Sequence, residues 1–229
     1  MKNSFLVLAI GLLLVCACLG IASAAPSFFS TSGNILTPDD TLLSPGGFSA
    51  NYHAIEIEDT DQTQTIIGAN VGVTPSLELG VARVDFDNGN EETIINGKYL
   101  LFPETAARPS LVLGVLDLGG ELDPDDDPGI YVLLGKNLTP MASDIAGEPS
   151  KPLRGIVGFG TGFFDGLFGA LDWTISQRMS LMAEYVDTDD DAQFNVGVRF
   201  ALTDMLRGDV ALIDGDDLGF GISFTKMGL

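Results

Sequence analysis

Few residue types in this 229-residue chain can do chemistry. There is one histidine, and the two cysteines, Cys16 and Cys18, lie in the apolar N-terminal stretch. Ser49, Asn51 and His53 share one face of a candidate strand, and they are the ingredients of a hydrolase. Neighbours spaced by two along a strand nevertheless do not give nucleophile, base and orienting group their mutual geometry. No Gly-x-Ser-x-Gly elbow accompanies them, so a non-enzymatic protein is expected. A second set, Asp85, Asp87, Asn88 and Glu91, offers oxygen ligands that suit Ca²⁺ or Mg²⁺. It lacks the EF-hand spacing and its distal glutamate, so a solvated anionic loop is the default and no cofactor is expected.

The third set is Asp172, Glu184, Asn195, Arg199, Arg207 and Asp209, with Asn70, Asn96 and Lys98 on the same face of their strands. A turn near Asp204 puts Arg199 opposite Asp209, and Glu184 lies opposite Asn195. Charges removed from water must pair. The favoured reading is therefore a polar network filling a narrow interior, and a charged constriction that selects solutes is the functional alternative.

Strands must position these residues. Phe194, Val196, Val198 and Phe200 alternate with Asn195, Gly197, Arg199 and Ala201, and the period of two returns in 205–213 and 218–226. The polar face carries small residues and isolated charges, as expected for a transmembrane barrel with lipid outside and a polar lumen inside. The spacing predicts an antiparallel up-and-down barrel of about twelve strands, at 48–57, 64–73, 76–86, 92–102, 109–118, 129–138, 152–161, 167–175, 179–187, 192–201, 205–213 and 218–226. No helix is predicted after the leader. Arg83 interrupts the apolar series Leu77, Leu79, Val81, which predicts a bulge or an exit from the bilayer there.

Residues 1–24 have the form of a secretory signal: Lys2, an apolar core from Phe5 to Gly20, and a small-residue site at Ala22-Ser23-Ala24. Lipid attachment at Cys18 is the alternative processing. Beyond the leader, residues 25–47 are irregular and rich in proline and glycine, which predicts a periplasmic lead-in or a lumen plug. Residues 48–229 then form the barrel. No later apolar run is long enough for a helical span. The formal charge of −21 argues against nucleic acid and polyanionic partners. Its acidic runs fall on alternate connections, so one rim is anionic and, with a periplasmic N-terminus, faces outward.

Aromatic residues supply a further expectation, a girdle at each interface. Phe48, Tyr99, Phe102, Trp173, Phe200 and Phe224 fall near one end of their strands, and Tyr131, Tyr185, Phe194 and Phe220 near the other. A soluble secreted β-barrel or sandwich would instead bury the apolar face.

Three stretches resemble one family. Gly33-Asn34-Ile35-Leu36-Thr37-Pro38 with Leu43-Ser44-Pro45-Gly46-Gly47-Phe48-Ser49 is similar to the opening segment of YjbH-like outer-membrane barrels. So are Leu181-Met182-Ala183-Glu184-Tyr185 with Phe194-Asn195-Val196-Gly197-Val198-Arg199-Phe200 and Leu202-Thr203-Asp204, and the closing Gly221-Ile222-Ser223-Phe224-Thr225. The resemblance implies a structural or accessory role in surface or exopolysaccharide export, with polysaccharide-export components as partners and no catalytic residues. The chain is shorter than many of that family and ends in Lys226-Met227-Gly228-Leu229, without the terminal aromatic residue usual in outer-membrane barrels. The alternative function is a narrow diffusion channel for small neutral or cationic solutes.

Overall fold

The computed structural model describes residues 24–228 apart from 59, 61, 87, 88, 124, 148–149 and 189–191. The leader up to residue 23 and the loop residues Asp87 and Asn88 lie outside the described residues. The strands are β1 (Phe48–Ile57), β2 (Gln62–Thr74), β3 (Leu77–Phe86), β4 (Glu91–Phe102), β5 (Ser110–Leu116), β6 (Gly129–Asn137), β7 (Leu153–Gly160), β8 (Gly166–Ser176), β9 (Met179–Asp187), β10 (Ala192–Ala201), β11 (Leu206–Ile213) and β12 (Asp217–Lys226). Each pairs antiparallel with the next, and β1 closes on β12, giving a closed barrel of twelve strands among the described residues. Closure leaves no unpaired edge strand, so each strand has a hydrogen-bonded neighbour on both sides.

The direction of the two faces follows from burial. Phe194 and Val196 are 66% and 53% exposed, whereas Arg199 and Asp209 are 9% and 2% exposed. Val210, Leu218, Phe220 and Ile222 also face out. A contiguous apolar belt of this size is costly in water and favourable against hydrocarbon. It is the inverse of a soluble barrel, which would bury these side chains and expose the charges. Phe48 packs on Phe224 with ring centroids 5.7 Å apart, and Tyr185 meets Phe194 edge-on at 5.1 Å. Tyr99 and Trp173 are exposed on the same outer surface and Phe200 is half-buried.

Four expectations are corrected. Tyr131 does not belong to a girdle: it points inward, 2% exposed, edge-on to Phe164 and Phe168. Strand β6 is apolar on both faces, so alternation cannot orient it, and Ile130, Val132 and Leu134 are the residues that face out. The lumen is also not polar throughout. Toward the acidic end, Ile66, Val84, Ile94, Val112, Leu133, Phe168 and Val186 form a dry core. Of the two alternatives at Arg83 the bulge is absent: β3 has no register shift there, and Arg83 stays on the outer face and ion-pairs with Glu91 near the strand's end. The shifts lie at Gly72/Thr74, Leu100/Phe102 and Thr174/Ser176, all toward the end that carries the chain termini. Finally, a short helix, α1 (Thr139–Ala146), stands in the connection from β6 to β7, started by Pro140 in its first turn and stopped by Gly147 in the left-handed region.

A charge on the outer belt tests its environment. Val196→Arg, at the middle of β10, is expected to cost about 2–4 kcal/mol in a bilayer. Urea titration of protein folded into vesicles, read by heat-modifiable gel mobility, measures it; unchanged stability would show that this face meets water.

Candidate functional site: the lumen and the segment within it

Residues 24–43 lie inside the barrel, nearly all from Ala24 to Asp40 are buried, and the segment leaves the lumen through the exposed Pro45 and Gly46. Pro26, Gly33 and Pro38 prevent a regular strand, so the segment folds on itself through short bonds. Phe28 N donates to Ile35 O at 2.7 Å, Gly33 N to Ala25 O at 2.8 Å and Asn34 N to Thr37 O at 2.9 Å. Phe28, Phe29, Ile35 and Leu36 enter the apolar core toward the acidic end. Many of the segment's remaining polar groups are met by the wall, whereas Ser27 Oγ is buried without a hydrogen-bond partner.

The strongest contact is at Glu184 on β9. Its carboxylate accepts from Ile35 N at 2.7 Å, Leu36 N at 2.9 Å, Thr37 N at 3.2 Å and Thr37 Oγ1 at 2.6 Å. Three successive backbone N–H groups turned to one side make an anion-binding concavity. An isolated buried carboxylate costs several kcal/mol, and charge-assisted hydrogen bonds return about 1.5–3 kcal/mol each, so four suffice without a cation in contact. Glu78 on β3 repeats the arrangement, accepting from Ser32 N, Ser32 Oγ and Leu43 N at 2.7–2.9 Å.

The cations of the wall take the segment's carbonyls. Arg199 donates to Gly33 O, Pro26 O and Asn34 O at 2.8–2.9 Å, and its Nε donates to Asp209 at 2.5 Å. Lys98 donates to Ser32 O at 2.7 Å, and to Asp39 O and Thr41 O. Asn96 donates to Phe29 O at 2.6 Å. Asp40 binds Arg154, with Nε at 2.6 Å, and also accepts from Ser110, while Arg154 reaches Glu104 at 3.1 Å.

His53 is part of this structure. Its ring stacks on Phe28 at 4.2 Å. Asn51 lies 3.0 Å from Nδ1 and Asp209 3.4 Å from Nε2. With the Asn51 amide donating to Nδ1, the proton sits on Nε2 and points at Asp209. Ser30 Oγ donates to Asn51, not to the imidazole. A Cβ on Gly221 or Gly219 would strike His53 or Phe28, so both positions must be glycine for the stack to fit.

Of the sequence-derived network, Glu184, Asn195, Arg199 and Asp209 meet at the segment; Arg199 pairs with Asp209, and Asn195 lies 3.4 Å from Glu184. Asp172 and Arg207 stand apart, lining a cavity of about 770 Å³ at the terminus end. A smaller cavity of about 230 Å³ opens at the acidic end, lined by Phe29, Leu36, Phe163 and Glu121 among others. The segment lies between the two. In the loop considered for a cation, Glu91 pairs with Arg83, and no group of three metal-ligating side chains occurs among the described residues. Sequence reasoning missed Glu78, although its inward phase in β3 was readable, and it missed Asp40 with Arg154, which lie 114 residues apart.

No family model matches the chain, and no curated protein matches it in sequence. Solved structures do share its fold. A KdgM porin superposes with a TM-score of 0.57 at 12% identity, covering 77% of this chain and 98% of its own. A NanC porin does so at 0.53 and 8% identity, covering 79% and 100%. The barrel thus resembles bacterial outer-membrane proteins, and the YjbH-like resemblance gains no separate support.

Glu184→Ala strands four donors of the segment and is expected to cost about 3–5 kcal/mol. Amide exchange at Ile35, Leu36 and Thr37 should accelerate while the strands stay protected; equal protection would remove Glu184 as the anchor. The Asp40 contact should respond to acid. Burial pushes the Asp40 carboxyl up, but the hydrogen bonds from Arg154 and Ser110 and the charges of Arg154 and Lys98 outweigh it, so its pKa lies below the ordinary value. Its contribution is full above the unfolded-state value and disappears as pH falls through the lower folded value. Melting curves at falling pH should show that loss in the parent and lack it in Asp40→Asn.

Proposed function

We propose that the chain is an outer-membrane channel protein of porin type, non-enzymatic, held closed by its own N-terminal segment. On this reading residues 1–24 are removed on export, 25–47 form the plug, and 48–229 span the membrane in contact with its lipid. The observation that carries it is the position of residues 24–47: they separate the two end cavities, and both cavities use plug residues as part of their walls. Porins among the structures of the same fold support a transport role. His53 is sealed beneath Phe28 with an amide and a carboxylate as partners, which supports the absence of hydrolytic chemistry.

A second reading is a permanently closed barrel that assists surface polysaccharide export. The stretches that resemble YjbH-like barrels favour it, because two of them meet in the lumen: Gly33 to Pro38 rests on Glu184 and Arg199. Planar-bilayer recording separates the two readings. The parent should open rarely, and a variant lacking residues 26–46 should conduct steadily. A parent that already conducts as much as the variant would refute closure by the segment. A silent variant that inserts normally would leave the accessory reading, which unchanged surface polysaccharide on gene deletion would in turn remove.

A further inference from the structure

The cavity of about 230 Å³ at the acidic end joins two kinds of surface. One is apolar. The segment contributes Phe29 and Leu36, and around them stand Ile57, Phe86, Leu122 and Phe163, which pack against the dry core but are only partly buried. Phe163 meets Phe29 edge-on at 5.1 Å. These side chains turn their uncovered apolar surface toward the barrel mouth, where no lipid covers it. The other surface is anionic. Glu121 and Asp217 line the cavity together with the neutral Gln64 and Gln193, and no lysine or arginine does so among the described residues. Asp217 begins β12 and Glu121 belongs to the β5–β6 connection, with β1 to β4 between them in the wall. Both are placed by backbone contacts: Asp217 accepts from Glu58 N at 2.9 Å, and Leu122 N, next to Glu121, donates to Asp117 at 2.6 Å. Glu92 stands beside Glu121, and the hydrogen bond and repulsion between the two carboxyls push the Glu121 group above the usual carboxylate range.

We infer that this cavity binds a small organic cation with an apolar body, of the aryl- or alkylammonium class. The body would cover the partly exposed side chains, which gains the free energy of removing them from water. The ammonium group would meet Glu121 and Asp217, and the faces of the neighbouring phenylalanine rings attract it as well. A positive charge beside Glu121 and Glu92 also relieves the repulsion between two like charges. The acidic connections around the mouth concentrate cations there and repel anions. The volume admits one ring or a short branched chain and is too small for a larger, drug-sized molecule. Binding requires the segment in place, because Phe29 and Leu36 form part of the cavity. It does not require the lumen to open, so it stands or falls separately from the channel reading.

The test is calorimetric titration of the folded protein in non-ionic detergent with benzyltrimethylammonium, with the heat of empty micelles subtracted. Benzyl alcohol and phenylacetate keep the ring without the positive charge, and tetramethylammonium keeps the charge without the ring. Saturable binding of benzyltrimethylammonium is expected, about tenfold weaker for tetramethylammonium and absent for the other two. Glu121→Gln with Asp217→Asn should weaken it about tenfold. The substituted amides still accept hydrogen bonds, and unchanged heat-modifiable mobility would confirm folding. Glu121→Gln alone, at an exposed residue, should weaken it about threefold. Glu56→Gln with Glu91→Gln removes the same charge from the outer face and should change it by less than about twofold. The site would be overturned by no saturable binding of benzyltrimethylammonium, by equal binding of any of the three comparison compounds, or by equal loss in the two double variants.

Discussion

The structure depends on a buried carboxylate that takes its hydrogen bonds from backbone. A segment of about two dozen irregular residues cannot enter a narrow lumen unless its amides and carbonyls are met there. Glu184 meets three consecutive amides and a hydroxyl, Glu78 meets two amides and a hydroxyl, and Arg199 and Lys98 take the carbonyls between them. Acceptors and donors on the wall thus alternate in step with donors and acceptors on the plug. Phe28, Phe29, Ile35 and Leu36 complete the fit by removing apolar surface from water at the other end.

This arrangement explains why the inward face is so rich in small residues. In an empty lumen that face would hold side chains long enough to reach one another. Here the interior is already occupied, and the wall must be thin wherever a plug ring approaches. The pair Gly219 and Gly221 beneath Phe28 and His53 is the clearest case. The lone histidine, the stacked ring above it and the two glycines are one packing solution drawn from three distant parts of the chain.

Much of the fold was legible because a barrel wall is a repeating local object. Alternation and turn residues placed every strand to within two residues, and pairing followed from sequential antiparallel order. Legibility failed where local pattern loses its meaning. Strand β6 is apolar on both faces, so Tyr131 could not be oriented, and the dry half of the lumen reads as ordinary strand residues. The segment in the lumen was legible as a stretch unfit for a strand, which left a periplasmic lead-in and a lumen plug as equal alternatives. Its contacts join residues more than a hundred positions apart, and nothing in the spacing of Asp40 and Arg154 announces that they meet. Arg199 and Asp209 were readable as a pair because a single hairpin sets them opposite one another. That the guanidinium would also hold three plug carbonyls was not.

Joined directly to β1, the segment in the lumen precedes in the chain every strand of the wall that holds it. Its deepest anchor arrives 148 residues later, on β9, and the cylinder is sealed only when β12 zips against β1. A compact knot of buried amides cannot slip through a finished, hydrogen-bonded hoop. On this geometry the segment is cradled while the sheet is still an open ribbon, before β12 meets β1. The order in which such a barrel comes together is set by the segment it encloses as much as by its last strand.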